Sequence, residues 1–300
     1  MVLATSLLQN TIELFGERNV GFAGRPFIKD LLYGYNINLH PYDKSLISSF
    51  HILKAIKHYD VVLSLHVSLR SALLLKLSGI KTRIGFDRSE GKFLYTHLVP
   101  YQEKGIHEIQ RNIKLLELLT SKNISPKAPK LYIEDDTIRQ VKKKFDLPSS
   151  FVVIAPKSNF FLKTWKQEHF LELAKSLDRQ IIILSDTPLE AFNSLKHVKN
   201  LSGATSLKEF IAIISLSDFV IANDSSAVHI ANAFDKKAIT IYCATSHIYG
   251  FYPIKGVYLE PKLDCHPCSI NPKSCKTKTY ECLEFIKPQD VLEKLKALEV

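Results

Sequence analysis

The chain has no apolar run near the roughly 20 residues that carry a helix across a bilayer, and its start shows neither a basic n-region nor a signal-type core. These absences speak against a membrane-spanning helix in these residues and set a cytoplasmic location as the expectation. Acidic residues are in deficit, 30 Asp and Glu against 40 Lys and Arg, for a net charge of +10 and a pI near 9.2. Such an excess favours acidic partners: nucleic acid, an anionic membrane face or phosphorylated substrates. Only one compact basic run occurs, Lys142-Lys143-Lys144, and no module interleaves aromatics with base-reading residues, so nucleic acid is set aside. Cysteines are few, and four of the five are Cys265, Cys268, Cys275 and Cys282. In a cytosolic chain such clustering suggests zinc before disulfides. The spacing C-x2-C-x6-C-x6-C is irregular for a zinc ribbon, which leaves a reduced structural cluster as the default and no metal assigned.

What the chain does contain is ordinary globular material, 46% hydrophobic and 23% charged, in a length that accommodates two domains. Short apolar strands alternate with amphipathic segments: Asn19-Val-Gly-Phe-Ala, Ile37-Asn-Leu, Lys44 to Lys57, Asp60 to Leu65, Arg70 to Leu77, Thr82 to Gly85 and His107 to Leu119. Such alternation predicts crossover units on a mostly parallel sheet. Between Thr120 and Ser150 the texture turns to Pro126, Pro129, a charged helix-like piece and Pro148, the candidate hinge. From Phe151 the alternation restarts with Val152 to Ala155, Trp165 to Leu177, Gln180 to Leu184 and Pro188 to Leu195. The expectation is an α/β chain of two Rossmann-like domains, 1–148 and 149–300, ending in a packing helix from Pro288.

The most informative stretch is Asp218-Phe-Val-Ile-Ala-Asn-Asp224-Ser225-Ser226-Ala227-Val-His229-Ile-Ala-Asn-Ala-Phe. An apolar run stops at four short polar residues and resumes with helical spacing, so a buried strand runs into a helix. Free N–H groups at such a helix start attract phosphate. Another strand, Ala238 to Cys243, follows at once, and ligands of parallel sheets collect at the strands' carboxyl ends. Spacing alone leaves both plain capping and ligand binding open.

Two further segments bear on that choice. Ala155-Pro-Lys-Ser158-Asn159-Phe-Phe-Leu-Lys163-Thr-Trp165 and Leu201-Ser-Gly203-Ala-Thr205-Ser206-Leu207, followed by Asn223-Asp224-Ser-Ser-Ala-Val-His229, resemble in the same order glycosyltransferase family 9, the lipopolysaccharide heptosyltransferases. The resemblance implies a GT-B fold with the donor nucleotide on the second half and the acceptor on the first. It further implies inverting transfer of heptose from ADP-heptose to the lipopolysaccharide inner core without a metal or other cofactor. A leaving diphosphate needs fixed donors and positive charge. Lys163 matches the family's phosphate-contacting lysine, Ser158 and Asn159 stand in its phosphate loop, and Ser225, Ser226 and Ala227 offer backbone N–H groups. Glu190 falls where the family places a ribose-binding carboxylate. Capping its own helix is the economical role for Asp224, and by resemblance it instead orients sugar hydroxyls, with His229 supporting the loop.

Arg70, Arg83 and Arg88, with Lys76 and Lys92, are candidate contacts for a phosphorylated lipid A-core acceptor or the inner membrane's cytoplasmic face. Two departures stand out. Ser226 replaces the family's usual glycine, adding bulk where backbone approaches phosphate. The family's first strand and its glycine-aspartate turn, which carries the proposed general base, do not occur in these 300 residues. The expectation is a first sheet lacking an inner strand, a true start upstream of Met1, and a catalytic aspartate upstream that leaves the catalytic residue here unassigned. Alternatives are a family 9 transferase of another nucleotide sugar, or a non-catalytic nucleotide-sugar binder.

Overall fold

A computed structural model describes residues 1–299, and all its strand pairings are parallel. The chain divides into two compact units between Tyr132 and Ile133, earlier than the 148/149 boundary read from the sequence, with Val2 grouped apart from its neighbours.

The first unit runs α1 (Ala4–Phe15), β1 (Gly21–Gly24), α2 (Ile28–Leu31), β2 (Asn38–Pro41), α3 (Leu46–Ile56), β3 (Val61–Leu63), α4 (Leu69–Leu77), β4 (Thr82–Phe86), β5 (His97–Val99) and α5 (Glu108–Thr120). Ser45 and Ser68 cap α3 and α4, each hydroxyl accepting a backbone N–H three residues on. The buried polar side chains of α1 tie it to the segment after α5: Asn10 bonds Ser125 and Lys127, and Thr5 accepts from the Lys130 N–H. Leu7 of α1 packs on Ile113 and Leu116 of α5.

The strands of this unit form two separate sheets, β1-β2 and β3-β4-β5. An apolar cleft of about 780 Å³ lies between β1 and β3, lined by Leu7, Leu8, Phe22, Ile56, Val61 and Leu63 among others. Asn38 and Tyr42 donate to the carbonyls of Val20 and Gly24, so the even-numbered residues of β1 face β2. Gly21 and Ala23 therefore turn their backbone groups to the cleft. Across it, Ser64 donates to Ile84 and Asp60 accepts from Thr82, which leaves the edge of Val61 and Leu63 facing the same space. Among the described residues no strand joins the two sheets across this space.

The second unit runs α6 (Asp135–Phe145), β6 (Val152–Ala155), α7 (Gln167–Ser176), β7 (Ile181–Ile183), β8 (Val198–Asn200), α8 (Leu207–Leu216), β9 (Phe219–Asn223), α9 (Ser226–Ala233), β10 (Lys237–Ile241), β11 (Gly256–Leu259) and α10 (Pro288–Glu299). Its six strands lie in the order β11-β10-β9-β6-β7-β8. Central strands β6 and β9 are buried at every residue, the reason they read as unbroken apolar runs. Val152, Ile154, Ile221 and Ile239 pack with Trp165 and Phe170, and with Val291 and Leu295 of α10.

The charged helix-like piece of the expected hinge is α6. It lies against α8, where Lys144 pairs with Glu209 and Lys208 with Glu134, both at 2.7 Å. It thus belongs to the second unit.

Candidate functional site

The chain passes from β6 through β7 to β8 on one side, then returns to lay β9, β10 and β11 on the other. The point of reversal lies between β6 and β9, and at such a point the loops leaving adjacent strands diverge and open a crevice at the carboxyl ends. Here those loops carry Ser158 and Lys163 after β6 and Asp224 to Ala227 after β9. Register aligns them, since Ala155 pairs with Ala222 and Asn223 with Ile241.

Asn223 fastens the two loops. Fully buried, it accepts the Trp165 backbone N–H on Oδ1 at 2.9 Å and donates from Nδ2 to the Pro156 carbonyl at 2.7 Å. Trp165, also fully buried, donates its indole N–H to the Ile286 carbonyl at 2.9 Å. The segment 156–165 is thereby held at both ends, and Lys163 projects from a 3-10 turn within it.

Lys163 Nζ lies 2.9 Å from Asp224 Oδ2, and the two side chains are only 13% and 11% exposed. The Thr245 hydroxyl, beyond the end of β10, donates to the same oxygen at 3.0 Å. Ser158 Oγ donates to the Asp224 backbone carbonyl at 3.2 Å. Asp224 is therefore not the cap of its helix, contrary to the economical reading of the sequence. Ser225 occupies that position with extended backbone and makes no capping bond, and the Asp224 carboxylate is drawn off to the ammonium.

The first turn of α9 consequently keeps its N–H groups clear of any side-chain cap, and it contains no acidic residue. Ser225 Oγ is buried without a hydrogen-bond partner among the described residues. A buried hydroxyl in that condition normally finds a partner, and here it sits beside amides whose partial positive charge suits an anion. Ser226 is exposed and Ala227 buried at this helix start, while His229, half-buried, closes the first turn.

The remaining candidates are placed differently. Asn159 is exposed on the loop after β6. Glu190 is exposed at the head of a 3-10 turn beyond β7, and no hydrogen bond joins it to the Lys163–Asp224 cluster. In the first unit, Arg83 is buried and its guanidinium is taken up by the carbonyls of Ile80, Lys81 and Leu94. Arg88 pairs with Glu103 at 2.8 Å and lies over the Tyr101 ring. Arg70 reaches the Tyr42 hydroxyl and the Lys44 carbonyl.

Sequence reasoning missed Asn223 and Thr245 as members of the site. Asn223 carried a signal, a polar residue ending an apolar strand. Thr245 carried none, since its link to Asp224 spans a helix and a strand.

The cysteine segment packs against the same region: His266 bonds the Thr245 carbonyl at 2.6 Å, and the Cys268 N–H donates to Ala244 at 2.9 Å. All five thiols are unpaired, and the described residues contain no group of three or more His, Cys, Asp or Glu arranged to hold a metal. Burial, then its neighbouring cysteines, pushes the Cys282 thiol up to about 11.

Comparison with known proteins bears on this geometry. The model of glycosyltransferase family 9 (heptosyltransferase) matches residues 50–277. The lipopolysaccharide core heptosyltransferase OpsX of Haemophilus influenzae is 26% identical over 289 residues, covering 88% of this chain and 83% of that one. Among solved structures, the ADP-heptose lipopolysaccharide heptosyltransferase II of Escherichia coli superposes with a TM-score of 0.79 at 22% identity, over 99% of this chain and 94% of the other. Heptosyltransferase WaaC of the same organism, solved with ADP-2-deoxy-2-fluoro heptose, superposes with a TM-score of 0.72 at 15% identity, over 99% of this chain and 95% of WaaC. With parallel sheets like theirs and a family match spanning both units, this chain belongs to glycosyltransferase family 9 and has the GT-B fold.

Proposed function

We propose that the second unit binds the diphosphate of a nucleotide sugar of the ADP-heptose type at the β6/β9 crevice, and that the enzyme transfers heptose to the lipopolysaccharide inner core with inversion. The acceptor, a phosphorylated lipid A-core, is met by the first unit at the cytoplasmic face of the inner membrane. One observation carries the donor reading: the uncapped start of α9, with the orphaned Ser225 hydroxyl, stands beside the ammonium of Lys163. Heptosyltransferases of the same fold bind ADP-heptose or its analogue, and OpsX is named for the lipopolysaccharide core.

The chemistry follows from charge. As the glycosidic bond breaks, negative charge grows on the leaving diphosphate, and donors already aimed at it lower the barrier. Lys163 and the amides of Ser226 and Ala227 are such donors, and Ser158 and Asn159 add side-chain contacts. A carboxylate beside a diphosphate is repulsive unless neutralised, and Lys163 neutralises Asp224 here. Both of its bonds go to Oδ2, so Oδ1 is offered to a sugar hydroxyl. His229 supports this turn, and Glu190 serves the ribose.

Calorimetric titration with ADP, ADP-heptose and UDP-glucose tests the reading. Lys163→Ala is expected to weaken ADP binding by about 2 kcal/mol, roughly thirtyfold, the scale of a hydrogen bond to a charged group. Unchanged affinity sinks it. Preference for UDP-glucose assigns another sugar, and tight ADP-heptose binding without transfer to a deep-core acceptor assigns a binder in place of an enzyme.

A further inference from the structure

The outward faces of α3 and α4 are apolar where a water-facing helix would be polar. Leu46, Ile47 and Phe50 of α3 are 87%, 72% and 57% exposed. They lie opposite Ile52 and Ile56, which face the core. On α4, which packs beside α3, Leu73 and Leu77 are exposed one helical turn apart. Phe93 stands 75% exposed on the 3-10 turn packed against α4. Single exposed apolar residues need no explanation, but a run of them across adjoining elements marks a contact surface.

The charge around this face is predominantly positive. From Lys44 to Arg83 the only acidic residue is Asp60, against seven Lys and Arg. Six of the seven, all but Arg83, are exposed. Lys54 lies over the Phe50 ring at 4.4 Å, an ammonium held at the border of the apolar patch. Two carboxylates stand near the helix starts, and both are engaged: Asp43 accepts from Ser45 and Ser48, and Glu90 accepts the Leu69 N–H.

We propose that this face docks on an anionic phospholipid surface, with α3 and α4 lying in the interfacial plane. Helices of 11 and 9 residues cannot span a bilayer, whereas apolar side chains ringed by lysines suit the boundary between acyl chains and anionic headgroups. A second copy of the chain is a poorer occupant, because it would set the same positive ring against itself. The inference deepens the proposed function by naming the surface on which a lipid-borne acceptor is approached, and its rests on that reading only for the reason to be there.

The full chain is cosedimented with vesicles of phosphatidylcholine alone or mixed equally with phosphatidylglycerol. Binding to the mixed vesicles is expected to be at least tenfold tighter and to weaken as salt rises. The triple variant Leu46→Ser, Ile47→Ser, Phe50→Ser should lose at least tenfold on mixed vesicles. Its thermal unfolding should be unchanged, since none of the three is in the core, and Lys54→Glu with Lys57→Glu provides an independent loss. Equal binding of wild type and triple variant overturns the proposal, as does absence of binding. Light scattering that shows a dimer dissolved by the triple variant overturns it in favour of self-association. ADP-heptose calorimetry on the same samples separates the two readings: vesicle binding without nucleotide-sugar binding defeats only the proposed function, and the converse defeats only this inference.

Discussion

Asn223 makes no contact with solvent, yet it decides where Lys163 stands. Both ends of its carboxamide are used, one on the Trp165 N–H and the other on the Pro156 carbonyl. Truncation to alanine leaves two buried backbone groups unpaired, at about 1 to 3 kcal/mol each, and releases the loop that carries Ser158 and Lys163. Asn223→Ala is therefore expected to lower both the melting temperature and ADP affinity, read by calorimetry and by the emission of Trp165, the only tryptophan. Retained affinity at a lowered melting temperature would show that the clamp serves stability alone. At this scale the sequence was legible in residue type and not in pairing. Short polar residues after an apolar run pointed to Asp224 and Ser225, but the Lys163–Asp224 bond joins residues 61 positions apart, and no local pattern reports such a contact. Arg83 shows the same limit, for a basic residue bonding three carbonyls reads like any surface arginine until the fold buries it.

Among the elements, those with continuous apolar runs or helical periodicity were legible: β6, β9, β10, α5 and α7. The strands that escaped notice, β5, β8 and β11, are three or four residues long, lie at the edges of their sheets and carry residues such as His97, Lys199 and Gly256. Their state comes from pairing with a neighbour, which composition does not encode. Helix α8 shows the opposite case, with its boundary written locally. Ser206 accepts the Glu209 N–H while the Glu209 carboxylate accepts the Ser206 N–H, a reciprocal box that satisfies two donors at once. Ser206→Ala should cost about 1 kcal/mol in urea unfolding. Lys144→Ala, which removes only a half-exposed ion pair from Glu209, should cost less. A larger loss for the lysine variant would mean that the α6 contact, and not the cap, holds this helix.

The two units bury their interiors unequally. In the second, one large cluster runs from Val152 to Leu295 through five strands and two helices, and further buried residues such as Val153, Ile182, Ile211 and Val220 lie outside it. Among the described residues, the clusters of the first are small, with three or four buried members each. Open strand edges on either side of a cleft are also where amide protons meet solvent without first breaking a ladder. Deuterium uptake followed by mass spectrometry should therefore label peptides containing Gly21 to Gly24 and Val61 to Leu63 well before those of Val152 to Ala155 and Phe219 to Asn223. Comparable protection in both sets would mean that the cleft is closed in solution. If the labelling order holds, the apolar walls around Leu7 and Leu63 are the part of this protein most prone to capture a stray extended peptide, and additives that shield strand edges should extend its shelf life more than ligands of the β6/β9 crevice.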